Sequence, residues 1–327
     1  MPADNPRAKL QLVSGATGFI GKRLYLKLFD EGEAVRALTR QATTTASDYQ
    51  YVGDLSEPII LETACTGVDT IFHCAGYAHT FASSASNEAE KHWLINYEGT
   101  RNLLEAAGRM GVKRFVFLSS VKAMGDPGNA CIDETHPGEP VTAYGKSKRA
   151  AEEAVLEAGK RYGMHVTNLR LAMVYGAGGR GNLERMARFV RSGYFPPLPE
   201  TGNRRSLVHI DDVIRVMRLV AKEPHAAGKT YIIANSHAPS GRELYDALRS
   251  ACGLPQKAWS VPAWSLKTLG YAGDYLERAL GKRSMISSEV VDRLLSSACY
   301  SSSLIEQELG WRATVSLEDG LKEMLEE

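Results

Sequence analysis

Leu10-Gln11-Leu12-Val13-Ser14-Gly15-Ala16-Thr17-Gly18-Phe19-Ile20-Gly21 decides the fold. The first five residues read as a short buried strand. Lys22 to Asp30 reads as a helix, and the glycines between them are spaced Gly-x-x-Gly-x-x-Gly. A glycine-rich turn between strand and helix lets the backbone approach a pyrophosphate, whose charge then rests on the helix N-terminus. The strand-before, helix-after context is the condition that turns such a motif from tight packing into a nucleotide site. Working outward, strand-like runs recur at 34–39, 70–73, 114–119, 165–171 and 230–234, with helical patterns such as 88–110 and 144–162 between them. That alternation predicts an α/β fold with a doubly wound parallel sheet.

The character changes after Gly176. Gly176 to Gly181 and Phe195-Pro196-Pro197-Leu198-Pro199 are loop material, and the tail from Ser240 is helical with breaks at Pro255 and Pro262. The predicted organisation is a nucleotide-binding Rossmann domain over 1–175, with a contribution from 205–235. A small, mostly helical substrate domain is expected from 176–204 and 236–327.

Two further segments carry chemistry. Arg114-Phe115-Val116-Phe117-Leu118-Ser119-Ser120 is a buried strand ending in hydroxyls. Such an end faces the crevice where open α/β sheets bind ligands. Tyr144 follows 24 residues later, with Lys148 four residues beyond it in a run of helix formers. Positions i and i+4 share a helix face, and an ammonium there is expected to lower the phenol's pKa. A tyrosine so placed can exchange a proton with an alcohol or sugar oxygen that Ser120 also holds.

In these segments the chain resembles the extended short-chain dehydrogenase/reductase family, in its nucleotide-sugar epimerase and reductase branch. The matching stretches are Gly15 to Gly21, Gly53-Asp54-Leu55, Phe72 to Gly76, Asn96 to Thr100, Phe117 to Ser120, Tyr144 to Lys148, Leu169 to Gly176, Arg205 to Asp212 and Leu309-Gly310-Trp311. The resemblance implies an enzyme with Ser120, Tyr144, Lys148 and Asn96 as its proton-transfer set, Asn96 through a held water. It implies cofactor contacts at Gly15, Thr17, Gly18, Phe19, Ile20, Gly21, Asp54, Leu55, Ala75, Tyr144 and Lys148. Substrate contacts are implied at Ser120, Asn182, Leu183 and Arg205, with Arg180 as a neighbour. A guanidinium fork suits Arg205 to a diphosphate.

Departures narrow the chemistry. The 4,6-dehydratases of the family carry an Asp-Glu pair after the strand hydroxyl, whereas Ser120 is followed by Val121-Lys122-Ala123. Met173 stands where UDP-galactose 4-epimerases place an asparagine. The remaining pattern implies a 4-epimerase or 4-ketoreductase acting on a UDP-linked amino or deoxy sugar for surface polysaccharide. Alternatives are an NADPH-dependent reductase of a non-sugar ketone and a non-catalytic NADP sensor. Val35-Arg36-Ala37-Leu38-Thr39-Arg40 offers no carboxylate for a ribose 2′-hydroxyl. Arg40, with Arg36 beside it, could instead pair with a 2′-phosphate, which favours NADP over NAD.

Composition bounds the rest. The 327 residues carry 44% apolar and 24% charged side chains and a net charge of +1, which predicts no nucleic-acid or membrane partner. Five scattered cysteines without Cys-x-x-Cys pairs predict a reducing, cytoplasmic setting, no disulfide and no metal site. His209 is expected to brace its strand, and Asp211 and Asp212 to cap a helix. A homodimer through helices 88–110 and 144–162 is implied by the family alone.

Overall fold

The computed structural model describes residues 9–42, 50–78, 85–179, 181–280 and 287–326. The apolar runs become strands β1 (Leu10–Ser14), β2 (Val35–Thr39), β3 (Gln50–Val52), β4 (Val68–His73), β5 (Arg114–Ser120), β6 (Cys131–Ile132), β7 (His165–Leu171), β8 (Met173–Tyr175), β9 (Leu207–His209), β10 (Lys229–Ile233) and β11 (Cys299–Tyr300). Seven of them form one sheet in the order β10-β7-β5-β4-β1-β2-β3, every pair parallel. The chain winds outward from β1 through β2 to β3, then returns to β4 on the other side. The crevice at the carboxyl ends of β1 and β4 is therefore the switch point where such sheets bind ligands.

The helices are α1 (Phe19–Asp30), α2 (Pro58–Cys65), α3 (Ala85–His92), α4 (Gly99–Arg109), α5 (Ala143–Tyr162), α6 (Asn182–Arg191), α7 (Ile210–Lys222), α8 (Gly241–Ala251), α9 (Ala263–Leu280), α10 (Ser288–Leu295), α11 (Ser303–Leu309) and α12 (Leu317–Glu326). On one sheet face, α1 and α7 bury Leu24, Leu28, Val213, Met217 and Val220 against β-strand residues Val13, Val116 and Leu169. On the other, α2, α4 and α5 bury Leu61, Leu103, Leu104 and Val155 against Leu12, Ile71 and Phe115. A third core, around Leu183, Val190, Tyr245, Leu248 and Leu321, joins α6, α8 and α12 into the helical C-terminal region. The fold is thus the doubly wound Rossmann type with a small helical region. The sequence boundaries are matched at β1 and β7, while β3 was not foreseen.

Two expectations fail. Cys131 and Cys299 are disulfide-bonded across 168 residues of chain, because β6 lies parallel to β11 with these two residues in register. Scattered spacing carries no sign of that pairing, so the cysteine argument for a reducing setting loses its premise. Cys65, Cys74 and Cys252 are free. The capping assignment also shifts. His209 is the N-cap of α7 and its Nδ1 accepts from the Asp211 N–H at 3.3 Å. Asp212 is wholly buried instead. It accepts from the N–H groups of Thr314 and Val315 at 3.1 Å each and from Arg215 Nη2 at 2.6 Å.

Asp212 thus ties the segment before α12 to α7. Replacing it with alanine takes the buried carboxylate from two N–H donors and from Arg215 and should cost about 2 kcal/mol of unfolding free energy. Urea denaturation of Asp212→Ala measures this, and a loss below about 1 kcal/mol would refute the tie.

Candidate active site

The glycine spacing is explained by close approach. Gly15 has φ +69, and a Cβ there would lie 2.6 Å from the Ala75 nitrogen at the end of β4. A Cβ on Gly21 would lie 2.3 Å from the Gly15 carbonyl oxygen. Gly18 is the N-cap of α1 and donates its N–H to Gly15 O at 2.9 Å. Thr17 and Gly18 are exposed on the rim, while Phe19 and Ile20 anchor their side chains on the core. No acidic residue stands in the first turn of α1. A cradle that only glycine can line, open at a helix N-terminus free of negative charge, fits a dinucleotide pyrophosphate.

Beneath it the ends of β1 and β4 are locked. Ser14 Oγ and His73 Nδ1 are 2.6 Å apart, and His73 Nε2 lies 2.9 Å from Thr100 Oγ1. Burial, with Lys148 second, pushes His73 down to about 3, so the ring is neutral. The β2 end is less committed. Arg40 is exposed immediately after β2, where the adenosine ribose would sit. Arg36 is occupied otherwise: it donates to the carbonyls of Ala64 and Thr66 and stacks on Tyr51 at 4.5 Å. Asp54 is also in local use, accepting from the Ser56 N–H and hydroxyl at 3.0 and 2.8 Å. Leu55 packs on Gly99.

The proton-transfer residues converge on the same crevice. Ser120 ends β5 and caps a short 3₁₀ turn, Val121–Met124, accepting from Lys122 N at 3.2 Å. Thr142 caps α5 by accepting from the Gly145 N–H at 3.0 Å. Gly145 lets α5 press on that turn, since a Cβ would meet Lys122 O at 2.4 Å. Tyr144 therefore stands over Ser120. Lys148 is buried; its ammonium donates to Leu118 O at 2.8 Å and sits 4.7 Å from the Phe117 ring centroid. Burial drops Lys148 to about 8, with Glu152 opposing.

Asn96 lies on a π-helical turn, Trp93–Glu98, the kind of interruption that often aims a functional side chain. It accepts from Tyr77 N at 2.7 Å and donates to Ser147 Oγ at 3.1 Å. A Cβ on Gly76 would be 3.2 Å from both Asn96 Oδ1 and Lys148 Nζ, so these groups face one small space.

One electrostatic expectation is reversed. Burial raises the Tyr144 phenol above its usual value, and the Ser120 hydroxyl only partly offsets this. The ammonium of Lys148 is turned to a carbonyl and a ring rather than aimed at the phenol.

The substrate residues are less uniform. Asn182 is exposed at the first turn of α6, whereas Leu183 is buried in the helical core and offers only backbone. Arg180 lies outside the described residues. Arg205 donates to the carbonyls of Arg293 and, at 3.1 Å, Ser296, at the C-terminal end of α10. Burial and the Arg293 charge push its guanidinium below the usual range, while Tyr300 and Asp126 act the other way. Tyr300 Oη donates to Gly125 O at 3.2 Å, so Arg205 stands near the loop that follows Ser120, while the Arg293 side chain is ion-paired with Glu289 on α10. A residue not expected at the site is His92, whose ring packs on Tyr144 at 5.5 Å. His92 stands four residues before Asn96, a spacing that could have flagged it.

Among the described residues, His209, Asp211 and Glu323 bring three ligand-type atoms together. Arg23 already bonds Asp211 at 3.0 Å and Glu323 at 2.9 Å, which supplies the positive charge there.

A glycine cradle at the switch point of a doubly wound parallel sheet defines a Rossmann-type α/β protein. Residues 11–234 match the NAD dependent epimerase/dehydratase family, and the chain belongs to it. A UDP-glucose 4-epimerase of Vibrio cholerae is 30% identical over 98% of this chain and 95% of its own length. An N-acetyl-alpha-D-glucosaminyl-diphospho-ditrans,octacis-undecaprenol 4-epimerase of Escherichia coli O157:H7 is 26% identical over 96% and 94%. A 3 beta-hydroxysteroid dehydrogenase/Delta 5-->4-isomerase of Mycobacterium tuberculosis is 27% identical over 96% and 89%. MoeE5, solved with UDP-glucose and NAD, shares the fold with a TM-score of 0.75 at 24% identity, over 97% of both chains.

Proposed function

We propose that this chain is a 4-epimerase of a UDP-linked amino or deoxy sugar used for surface polysaccharide. The observation that carries the reading is the convergence of Ser120, Tyr144 and Lys148 beside the glycine cradle, with Arg205 near the loop after Ser120. The two 4-epimerase relatives support it over a ketoreductase, and both act, by name, on sugars joined to a diphosphate.

Gly15, Thr17, Gly18 and the first N–H groups of α1 would hold the pyrophosphate of the dinucleotide, whose nicotinamide accepts and returns the C4 hydride. Tyr144 exchanges a proton with the C4 oxygen, which Ser120 holds in place. Lys148 carries the compensating charge, and Asn96 positions a water beside it. Because burial raises the phenol, the phenolate depends on positive charge arriving beside it with the bound dinucleotide. Replacing Tyr144 with phenylalanine removes the proton donor and leaves the helix intact. Turnover should fall about 10² to 10⁴-fold with cofactor affinity retained. Near-wild-type turnover would remove Tyr144 from the mechanism.

Arg40 supports NADP as the preferred form, now without help from Arg36. A charge-assisted bond to a 2′-phosphate is worth roughly 1.5–3 kcal/mol. Arg40→Ala should weaken NADP binding about tenfold or more and leave NAD nearly unchanged. Fluorescence titration of both forms checks this, and a wild type that prefers NAD would overturn it.

Arg205 supplies a guanidinium fork for a diphosphate. Arg205→Ala should raise the KM for a UDP-sugar by about one to two orders of magnitude. Calorimetry with UDP alone should show a parallel loss. If cofactor-saturated wild type binds no nucleoside diphosphate, the non-sugar ketone reductase becomes the better account, as the steroid-dehydrogenase relative would suggest.

A further inference from the structure

The 18-residue helix α9 is amphipathic in an inverted sense. Its inner side is small and committed to α10. Leu266, Gly270 and Gly273 are buried, and a Cβ on Gly270 would lie 2.9 Å from the Ser288 Cα. Asp274 faces the same way, accepting from the Ser288 N–H at 3.0 Å. The outer side carries the bulk. Trp264, Tyr271 and Tyr275 share one stripe, at spacings of seven and four, and are 71%, 67% and 73% exposed. Leu276 flanks them at 52%, and Trp259, also exposed, lies just before the helix with Lys257 Nζ 5.3 Å from its ring centroid.

Scattered surface apolar residues need no explanation, but a contiguous aromatic stripe does. We infer that the outer face of α9 is a contact surface for an anionic phospholipid bilayer, with the helix lying in the interface plane. The residue chemistry selects this occupant. Tryptophan and tyrosine are enriched at membrane–water interfaces because each has an apolar body and a polar tip. Among the described side chains, Lys267 and Lys257 are the neighbouring charges on the outside, while Asp274 turns inward and Glu277 is half-buried. The sign suits an anionic leaflet. No described helix is long and apolar enough to cross a membrane, so the contact is peripheral. A second copy has its expected place elsewhere, on the helices within 88–110 and 144–162. The net charge of +1 averages over the chain and does not register a local face.

Within the function proposed above, and resting on it, the contact has a consequence for substrate. The helix packed on α9 is α10, and the carbonyls of Arg293 and Ser296 at its C-terminal end hold Arg205, so that arginine lies one helix from the bilayer. The contact would keep a UDP-sugar bound at this site close to the bilayer face.

The test is co-sedimentation of the full chain, with NAD present, on vesicles of phosphatidylethanolamine and phosphatidylglycerol. Wild type is expected to bind. The triple variant Trp264→Ser, Tyr271→Ser, Tyr275→Ser should lose at least about tenfold in affinity, since each ring buries a large apolar area at the interface. Its melting temperature and NAD affinity should stay unchanged, because all three side chains are exposed. Wild type that stays in the supernatant, or a triple variant that binds equally well, would overturn the inference. So would a triple variant whose oligomeric state drops in ultracentrifugation, which would place a second copy on this face. UDP-sugar turnover, which needs no vesicle, separates failure of this surface from failure of the reaction assignment.

Discussion

Everything in the crevice depends on a steric exclusion: no side chain fits between the end of β1, the start of α1 and the end of β4. At Gly15 the backbone of Ala75 stands where a Cβ would be, and at Gly21 the Gly15 carbonyl does. The contact draws the two central strands and the first helix to a common point. The Ser14–His73–Thr100 chain then fixes their ends. Because His73 is held neutral, this lock places no charge under the pyrophosphate site. The helix N-terminus above it is left as the local positive pole.

The second constraint is α5, which must deliver Tyr144 and Lys148 to fixed heights above β5. One turn below Lys148, Glu152 is buried with Arg170, Nη2 to Oε2 2.7 Å, and accepts from Ser119 Oγ at 2.5 Å. A buried pair of this kind adds little net stability, but it admits few alternative registers. Arg170 comes from β7 and Ser119 from β5, so the pair pins α5 to two strands at once. Glu152 also opposes the drop in the Lys148 ammonium. The same side chain thus sets where the lysine stands and how readily it keeps its proton.

How much of this was legible follows from the range of each interaction. The strands at 10–14 and 165–171 could be bounded to the residue, because the first runs into Gly15 and the second starts just after the Gly163 turn. The three-residue β3 could not, since it exists only by pairing with β2. The residues Ser120, Tyr144 and Lys148 were readable because local spacing fixes their helix face and strand end. The orientation of Lys148 toward Leu118 O was not, because it depends on the depth of burial. The Arg205 contact with the Arg293 carbonyl and the Cys131–Cys299 bond were invisible for the same reason as each other. Both belong to contacts across 88 and 168 residues that only the docking of the C-terminal region creates.

That docking also bears on the raised Tyr144 phenol. The Tyr144–Lys148 spacing puts an ammonium four residues away and predicts a lowered pKa, but spacing fixes a face and not an aim. In the folded chain both groups are withdrawn from water, and desolvation opposes charge on each: the phenol rises and the ammonium falls to about 8. The phenol therefore resists ionisation until further positive charge arrives beside it. A positive ring brought in over the glycine cradle would favour the phenolate where the lysine alone does not. Proton transfer at Tyr144 would then be coupled to occupancy of the dinucleotide site, with the reacting base formed only where the hydride acceptor is already in place.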